Sequence, residues 1–382
     1  MTGSPFVLFR DDLGGREMLF ERPSHVLVAN DAPGFFAALS EVEELRKAGR
    51  WLAGYLSYEA GYLLEPKLRP LLPPGRRTPL LCLGAFDPPA IGGLSPREVP
   101  ATNGPIFDAR ATWSLTDYEH RFDRLHRHLR EGDCYQANLT FPLSAQWTGD
   151  PLAAFDALVE RQPVRYGALV SLGEPIVLSR SPELFFQVDR AGFIEAHPMK
   201  GTAPRGATRE EDDQQKKFLR NDEKNQAENR MIVDLLRNDI SLISEVGTLD
   251  VPELFRIETY PTVHQMVSRV RAKLRPDLTL QAILAALFPC GSITGAPKIR
   301  AMEILRELET APREAYCGAI GWVAPDSTMR FSVAIRTLSL FAGGEAVYNV
   351  GGGVVFDSTA AEEYAECLLK ARFATGTSPI SN

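Results

Sequence analysis

The sequence predicts an α+β fold built on antiparallel β-sheet, and three observations carry that expectation. Strand-like runs are short and joined by compact turns. Helical patterns are inserted between them at intervals. Neither a GxGxxG between a strand and a helix nor a GxxxxGK[ST] occurs, so the nucleotide-binding parallel sheets are disfavoured.

The elements follow in order. Residues 26–28, 51–58 (WLAGYLSY) and 80–86 (LLCLGAF) read as strands, and 35–48 as a helix. The stretch 67–79 is rich in proline and arginine and reads as a loop. A second polar, Pro/Gly-containing stretch at 88–105 sets the limit of a short N-terminal subdomain, 1–105, integrated with a main body, 106–376; residues 377–382 form a tail. Residues 114–130 carry Tyr118, Phe122, Leu125 and Leu129 on one helical face, and Gly132 ends that helix. An extended run covers 135–141, strands cover 166–172 and 176–179, and a hairpin joins 184–188 to 192–197. One long helix is expected over 212–236, then strands at 255–259 and 267–274. A helix over 297–308 has Thr294 as a plausible cap and Pro297 near its first turn. Strands at 319–323, 330–340 and 345–356 precede a closing helix, 361–371.

Composition narrows the function classes. The 382 residues are 44% hydrophobic and 24% charged, which suits a packed globular chain. The formal net charge is −7 and no basic stripe stands out, which argues against a nucleic-acid partner. The basic residues between His120 and Arg130 alternate with apolar ones and read as a solvated helix face. The five cysteines are scattered without a CxxC pair, so neither a zinc knuckle nor a disulfide framework is supported. No apolar run is long enough to cross a membrane and no secretory leader is evident, so a cytoplasmic protein is the default expectation.

Several clusters can carry chemistry. Glu363, Glu366 and Lys370 share one face of the last helix, and Glu228 precedes an apolar helical run. Carboxylates from two helices can hold a Mg²⁺ that keeps several waters and takes its remaining ligands from an anionic substrate; they can equally be solvated helix residues. In HPMKGTAPRG (197–206), Lys200 can act as a nucleophile if a dry site lowers its pKa, while Gly201 and Thr202 can donate to a carboxylate. An ordinary β-turn with Lys200 on the surface reads equally well. The run CGSITGAPK (290–298) approaches a helix start, either an anion site or a plain capped end. Arg336 lies in the apolar run FSVAIRTL and, if buried there, needs either a substrate carboxylate or a structural acid. His264 is either structural or a proton donor. Gly351, Gly352 and Gly353 mark either a tight connection between strands or a place where backbone meets ligand.

Ordered motifs then tie these clusters together. They are GDCYQANLTF (132–141), SRSPELFF (179–186), HPMKGTAPRG, AENRMIVDLLRND (227–239), ETYPTVHQMVS (258–268), GSITGAPKIRAME (291–303), YCGAIGW (316–322), AIRT (334–337), GGGVVFDS and EEYAECLLKA. The set resembles the chorismate-utilising family, which includes anthranilate synthase large subunits, aminodeoxychorismate synthase component I, and the isochorismate and salicylate synthases. The likeness covers about 116–373, and the N-terminal third resembles the family only loosely.

The resemblance implies two antiparallel sheets forming a sandwich with helices packed outside. It implies Mg²⁺ held by Glu228 and Glu366, with Glu363 behind them, bridging to the ring carboxylate of chorismate beside Lys370. Arg336, Tyr316 and the backbone of Gly351, Gly352 and Gly353 would hold the enolpyruvyl carboxylate. Ser292, Thr294, Gly295 and Thr202 would shape the ring pocket. Asn225 stands where the family often has an acid, a departure that bears on water placement and metal affinity. Gln136 stands where the isochorismate and salicylate synthases place a water-activating lysine, and a carboxamide cannot be that base. Lys200 within PMKGT, in place of the usual PIAGT of anthranilate synthases, points to the branch forming 4-amino-4-deoxychorismate. There Lys200 attacks C2, the C4 hydroxyl leaves with help from Glu183 or His264 (Glu183 being preferred), and ammonia enters at C4. No glutaminase signature is read in the sequence and no fused lyase is expected, so the ammonia is expected from a separate glutamine amidotransferase subunit. The alternatives are anthranilate as the product, or a dual-use subunit serving both branches.

Overall fold

The computed structural model describes residues 4–94, 106–260, 263–376 and 380–381. The expected boundary stretch at 88–105 and the tail at 377–382 lie partly outside these residues.

The described residues form two antiparallel ten-stranded sheets. The first runs in the order Gly295–Ala296, Gln136–Trp147, Glu345–Val354, Thr337–Leu340, Ile176–Ser181, Tyr166–Ser171, Phe6–Asp11, Arg16–Glu21, Ala90–Gly93, with Ile106–Ala111 also paired to Gln136–Trp147. The second runs Met199–Pro204, Val263–Lys273, Phe193–Ala196, Leu184–Val188, Met329–Val333, Ala319–Val323, Trp51–Leu56, Leu81–Phe86, His25–Ala29, with Asp250–Thr259 paired to Val263–Lys273. N-terminal strands therefore complete both sheets.

Three large cores follow from the strand period of two, beside a small fourth cluster of Ala203, Leu219 and Met266. Between the sheets, Val7, Phe20, Val170 and Val177 of the first meet Tyr55, Phe86 and Ile320 of the second. Outside the first sheet pack helices Leu115–Glu131, Pro151–Arg161, Lys298–Leu308 and Ala360–Thr375. Outside the second pack Ala32–Lys47, Glu223–Ser241 and Leu280–Leu287. The result is the expected sandwich with helices outside.

Several local expectations are corrected. The single helix over 212–236 is two, Arg209–Asn221 and Glu223–Ser241. They break at Asp222, whose backbone is extended and whose carboxylate caps the second helix by accepting from the Asn225 amide at 2.9 Å. The single strand over 330–340 is also two, Met329–Val333 in the second sheet and Thr337–Leu340 in the first. The chain crosses between sheets at Arg336, which adopts a left-handed backbone (φ 54°) and so lies outside both strands. Thr294 does not cap the helix Lys298–Leu308, which starts at Pro297 with no side-chain cap. Its hydroxyl instead donates to the Cys290 carbonyl at 3.1 Å, closing the 3₁₀ turn Gly291–Ile293. Gly351, Gly352 and Gly353 lie within one strand that ends at Val354, so they neither connect two strands nor precede another. The run around Lys200 is a strand, Met199–Pro204, in place of a turn.

Candidate active site

The site grows from the alternation of Gln136–Trp147. Ala137, Leu139 and Phe141 enter the core under the outer helices, which turns Gln136, Asn138 and Thr140 toward the second sheet. Gln136 is 1% exposed, and among the described residues neither polar atom of its carboxamide has a partner. Gly295 pairs beside it at Ala137, where any Cβ would lie 2.2 Å from the Gln136 carbonyl. Gly353 pairs with Asn138, and a Cβ there would lie 3.1 Å from both Gln136 Nε2 and Lys200 Nζ. The missing side chain thus lets the lysine and the carboxamide meet over bare backbone.

Lys200 reaches this point because its strand pairs irregularly with Val263–Lys273 between Met199 and Thr202, which re-aims the side chain. Gly201, at φ 89°, packs against Asn225, so that side chain supports the bulge; it also donates to Asp222 at 2.8 Å. Lys200 is half-buried. Burial pushes its pKa down; Glu228 opposes this, Lys370 adds to it, and Glu183 and Glu366 oppose it. These four charged groups converge on one amine.

Glu183 is 6% exposed and accepts from Ser292 Oγ at 2.7 Å. Burial pushes its carboxyl up to about 7, against the Ser292 hydrogen bond and the charges of Lys200 and Arg336. Arg336 is half-buried, and among the described residues no carboxylate lies within ion-pair distance of it. Burial lowers its pKa, against the pull of Tyr316, Glu366 and Glu183. Tyr316 is buried, and burial holds its phenol well above the usual value.

On the last helix, Lys370 Nζ donates to the Gly351 carbonyl at 3.1 Å and pairs with Glu366 at 2.7 Å. Glu366 is exposed; burial acts to raise its carboxyl, but Lys370, Lys200 and Arg336 together hold it low. Burial raises the Glu363 carboxyl, against a 2.7 Å bond from Ser358 Oγ. Glu363 faces Gly352, where a Cβ would lie 2.5 Å from its Oε2. The oxygen donors of Glu228, Glu363 and Glu366 suit Mg²⁺ by type. They are not drawn together as a cluster of ligand atoms. Among the described residues that closeness, within 4.8 Å, occurs only for His128, Glu131 and Asp133, where Asp133 is already bonded to His128 and Arg300.

Two expected residues stand apart. His264 is fully buried, with Nε2 against Asp212 at 2.9 Å and Nδ1 against Thr259 at 3.0 Å. Both ring nitrogens are engaged, and His264 is not among the charges acting on Lys200 or Glu183. Thr202 is exposed and donates to Gln265 at 2.9 Å.

Sequence reading missed Arg313. This buried guanidinium grips Glu309 at 2.9 and 2.7 Å, donates to the Ile293 carbonyl at 2.9 Å and the Asn138 carbonyl at 2.7 Å, and lies over the Tyr58 ring. It ties the Ser292 turn to the Gln136 strand. The available signal was Glu309 four residues before it, a helix-spaced ion pair beside the YCGAIGW motif.

The chain is similar to known proteins in sequence and in fold. Over 261 residues the chain is 46% identical to aminodeoxychorismate synthase component 1 of Klebsiella aerogenes, covering 68% of this chain and 57% of that one. It is 38% identical over 284 residues to anthranilate synthase component 1 of Methanothermobacter marburgensis, covering 74% and 61%. Each match thus spans less than two thirds of the relative. The crystal structure of anthranilate synthase component I from Streptococcus pneumoniae TIGR4 superposes with a TM-score of 0.80 at 26% identity, over 97% of this chain and 92% of that one. Residues 5–376 match the family described as chorismate binding enzyme, so the likeness reaches the N-terminal strands that the sequence motifs left out. Fold and match agree: the chain belongs to the chorismate binding enzyme family.

Proposed function

We propose that the chain converts chorismate and ammonia to 4-amino-4-deoxychorismate, working in the cytoplasm with a separate glutamine amidotransferase subunit as the ammonia source. The observation that carries this reading is Lys200, an amine shifted toward neutrality and set over Gly353 with Glu183 nearby. Relatives named aminodeoxychorismate synthase component 1 support it.

Arg336, Tyr316 and the strand amides around Gly351 orient the enolpyruvyl carboxylate. Glu228 and Glu366, with Glu363 behind them, would hold Mg²⁺, which supplies positive charge for the ring carboxylate when bound. Lys200 Nζ bonds to C2, the ring double bonds shift, and the C4–O bond breaks. The Glu183 proton leaves with that hydroxyl as water. Ammonia then bonds to C4, the double bonds return, the C2–N bond breaks, and the proton shed by the new amine restores Glu183. Because C2 is occupied by the lysine, the nucleophile is directed to C4.

The test is mass spectrometry of the product from purified chain, chorismate, Mg²⁺ and an ammonium salt. A product with the enolpyruvyl group retained and hydroxyl replaced by amine is expected. Anthranilate with pyruvate would overturn the reading in favour of the tryptophan branch.

A further inference from the structure

Glu183 does not stand alone. Its Oε1 accepts from Ser292 Oγ at 2.7 Å, and Ser292 Oγ lies 3.2 Å from Cys290 Sγ. All three side chains are buried. The sense of this chain is set by chemistry. Burial pushes the Cys290 thiol up to about 12, so it keeps its proton. A thiol sulfur is a weak acceptor and a carboxyl oxygen a strong one, so the single hydroxyl proton of Ser292 goes to Glu183 and the thiol donates to Ser292. The turn carrying both residues is fixed from two sides. Arg313 donates to the Ile293 carbonyl at 2.9 Å, and Thr294 Oγ1 donates to the Cys290 carbonyl at 3.1 Å. The charged groups facing Glu183 from the other packed elements are Lys200 and Arg336.

We infer that Ser292, backed by Cys290, is a positioning residue that dictates which oxygen of Glu183 carries the transferable proton. Oε1 is held as an acceptor, so the proton sits on Oε2. After the Oε2–H bond breaks and the proton leaves with the C4 hydroxyl as water, the Ser292 hydroxyl stabilises the carboxylate left behind. This rests on the proposed role of Glu183 as acid. A wall residue that merely filled space would need no hydroxyl, and no thiol behind it.

The test is steady-state kinetics across pH on Ser292→Ala, Ser292→Thr and Cys290→Ala, with Ser292→Ala repeated in a Glu183→Gln background. Ser292→Ala should lower kcat roughly tenfold while KM for chorismate stays within about twofold. Its pH limb from Glu183 should move upward, because the lost hydrogen bond favoured the carboxylate. Ser292→Thr, which keeps the hydroxyl, should restore both, and Cys290→Ala should show the same shift in weaker form. In the Glu183→Gln background Ser292→Ala should cost nothing further. An equal cost in both backgrounds, or an unmoved limb, overturns the inference alone. Near-normal turnover by Glu183→Gln itself overturns the acid assignment, and the inference with it. Should Ser292→Ala fail to fold, Cys290→Ala, which should still move the limb, and Ser292→Thr, which should leave it in place, decide the inference.

Discussion

Arg313 and Arg336 flank the same tyrosine, and what meets each guanidinium differs. Arg313 is buried with a bidentate carboxylate, two backbone carbonyls and an aromatic face around it. Arg336 sits on a strained left-handed link with no carboxylate in ion-pair reach among the described residues. Desolvating a charge without a partner is costly, so a half-buried guanidinium with no carboxylate beside it marks a place where an anion can arrive from outside. A saturated charge marks scaffold. The same contrast separates Glu309, gripped by Arg313 and the Thr140 amide, from Glu183, held by one serine and facing a lysine.

The comparison breaks first at Arg313. Arg313→Ala leaves the Glu309 carboxylate buried and unpaired, and should cost about 3–5 kcal/mol of folding stability, read as a fall in the urea midpoint. A cost under about 1 kcal/mol would remove the distinction between the two arginines.

Glu183 sharpens it through pH. Its folded carboxyl is raised from 4.5 to about 7, so the folded state holds the proton more tightly than the unfolded one. That contribution is complete below the unfolded value and is lost as pH rises through the folded value. Glu183→Gln removes the ionisation and should be more stable than the parent by up to about 3 kcal/mol at a pH of about 8.5, with little such difference at a pH of about 4. Glu59, raised by burial to about 8, titrates in both proteins and cancels in the comparison. Urea unfolding at the two pH values decides it; a gap independent of pH would contradict the account.

The smallest effect belongs to Arg336. Arg336→Gln should fold with near-parental stability and raise KM for chorismate roughly tenfold, equivalent to about 1.4 kcal/mol of binding. A stability loss matching that of Arg313→Ala would make Arg336 a second scaffold residue.

How much of this was legible in the sequence depends on how local the determinant is. Helix Leu115–Glu131 announced itself through an apolar face and Gly132, and the structure adds a Ser114–Asp117 capping box. Helix Leu280–Leu287 did not, because LQAILAAL is apolar almost all round and shows no periodic face. Strands Phe6–Asp11 and Arg16–Glu21 went unmarked since their mixed faces make sense only when paired with Tyr166–Ser171 and Ala90–Gly93. The break at Asp222 was readable in principle as a cap, but the surrounding run has helical composition throughout. For the site, Lys200, Glu183 and the acids could be named from motifs. That Gln136 and Lys200 meet over Gly353 required a register across Glu345–Val354 that no local pattern states. Arg313 was missed because Ile293 and Asn138, which it joins, are distant in sequence.

The crossing at Arg336 has a mechanical consequence. The residue sits on the seam where one chain passes from the second sheet to the first, and its carbonyl accepts from the Arg180 amide at 2.9 Å. An anion fastened to its guanidinium would therefore act as a rivet through both layers of the sandwich, so occupancy should slow the hydrogen exchange of Met329–Val333 and Thr337–Leu340 together, though they belong to different sheets.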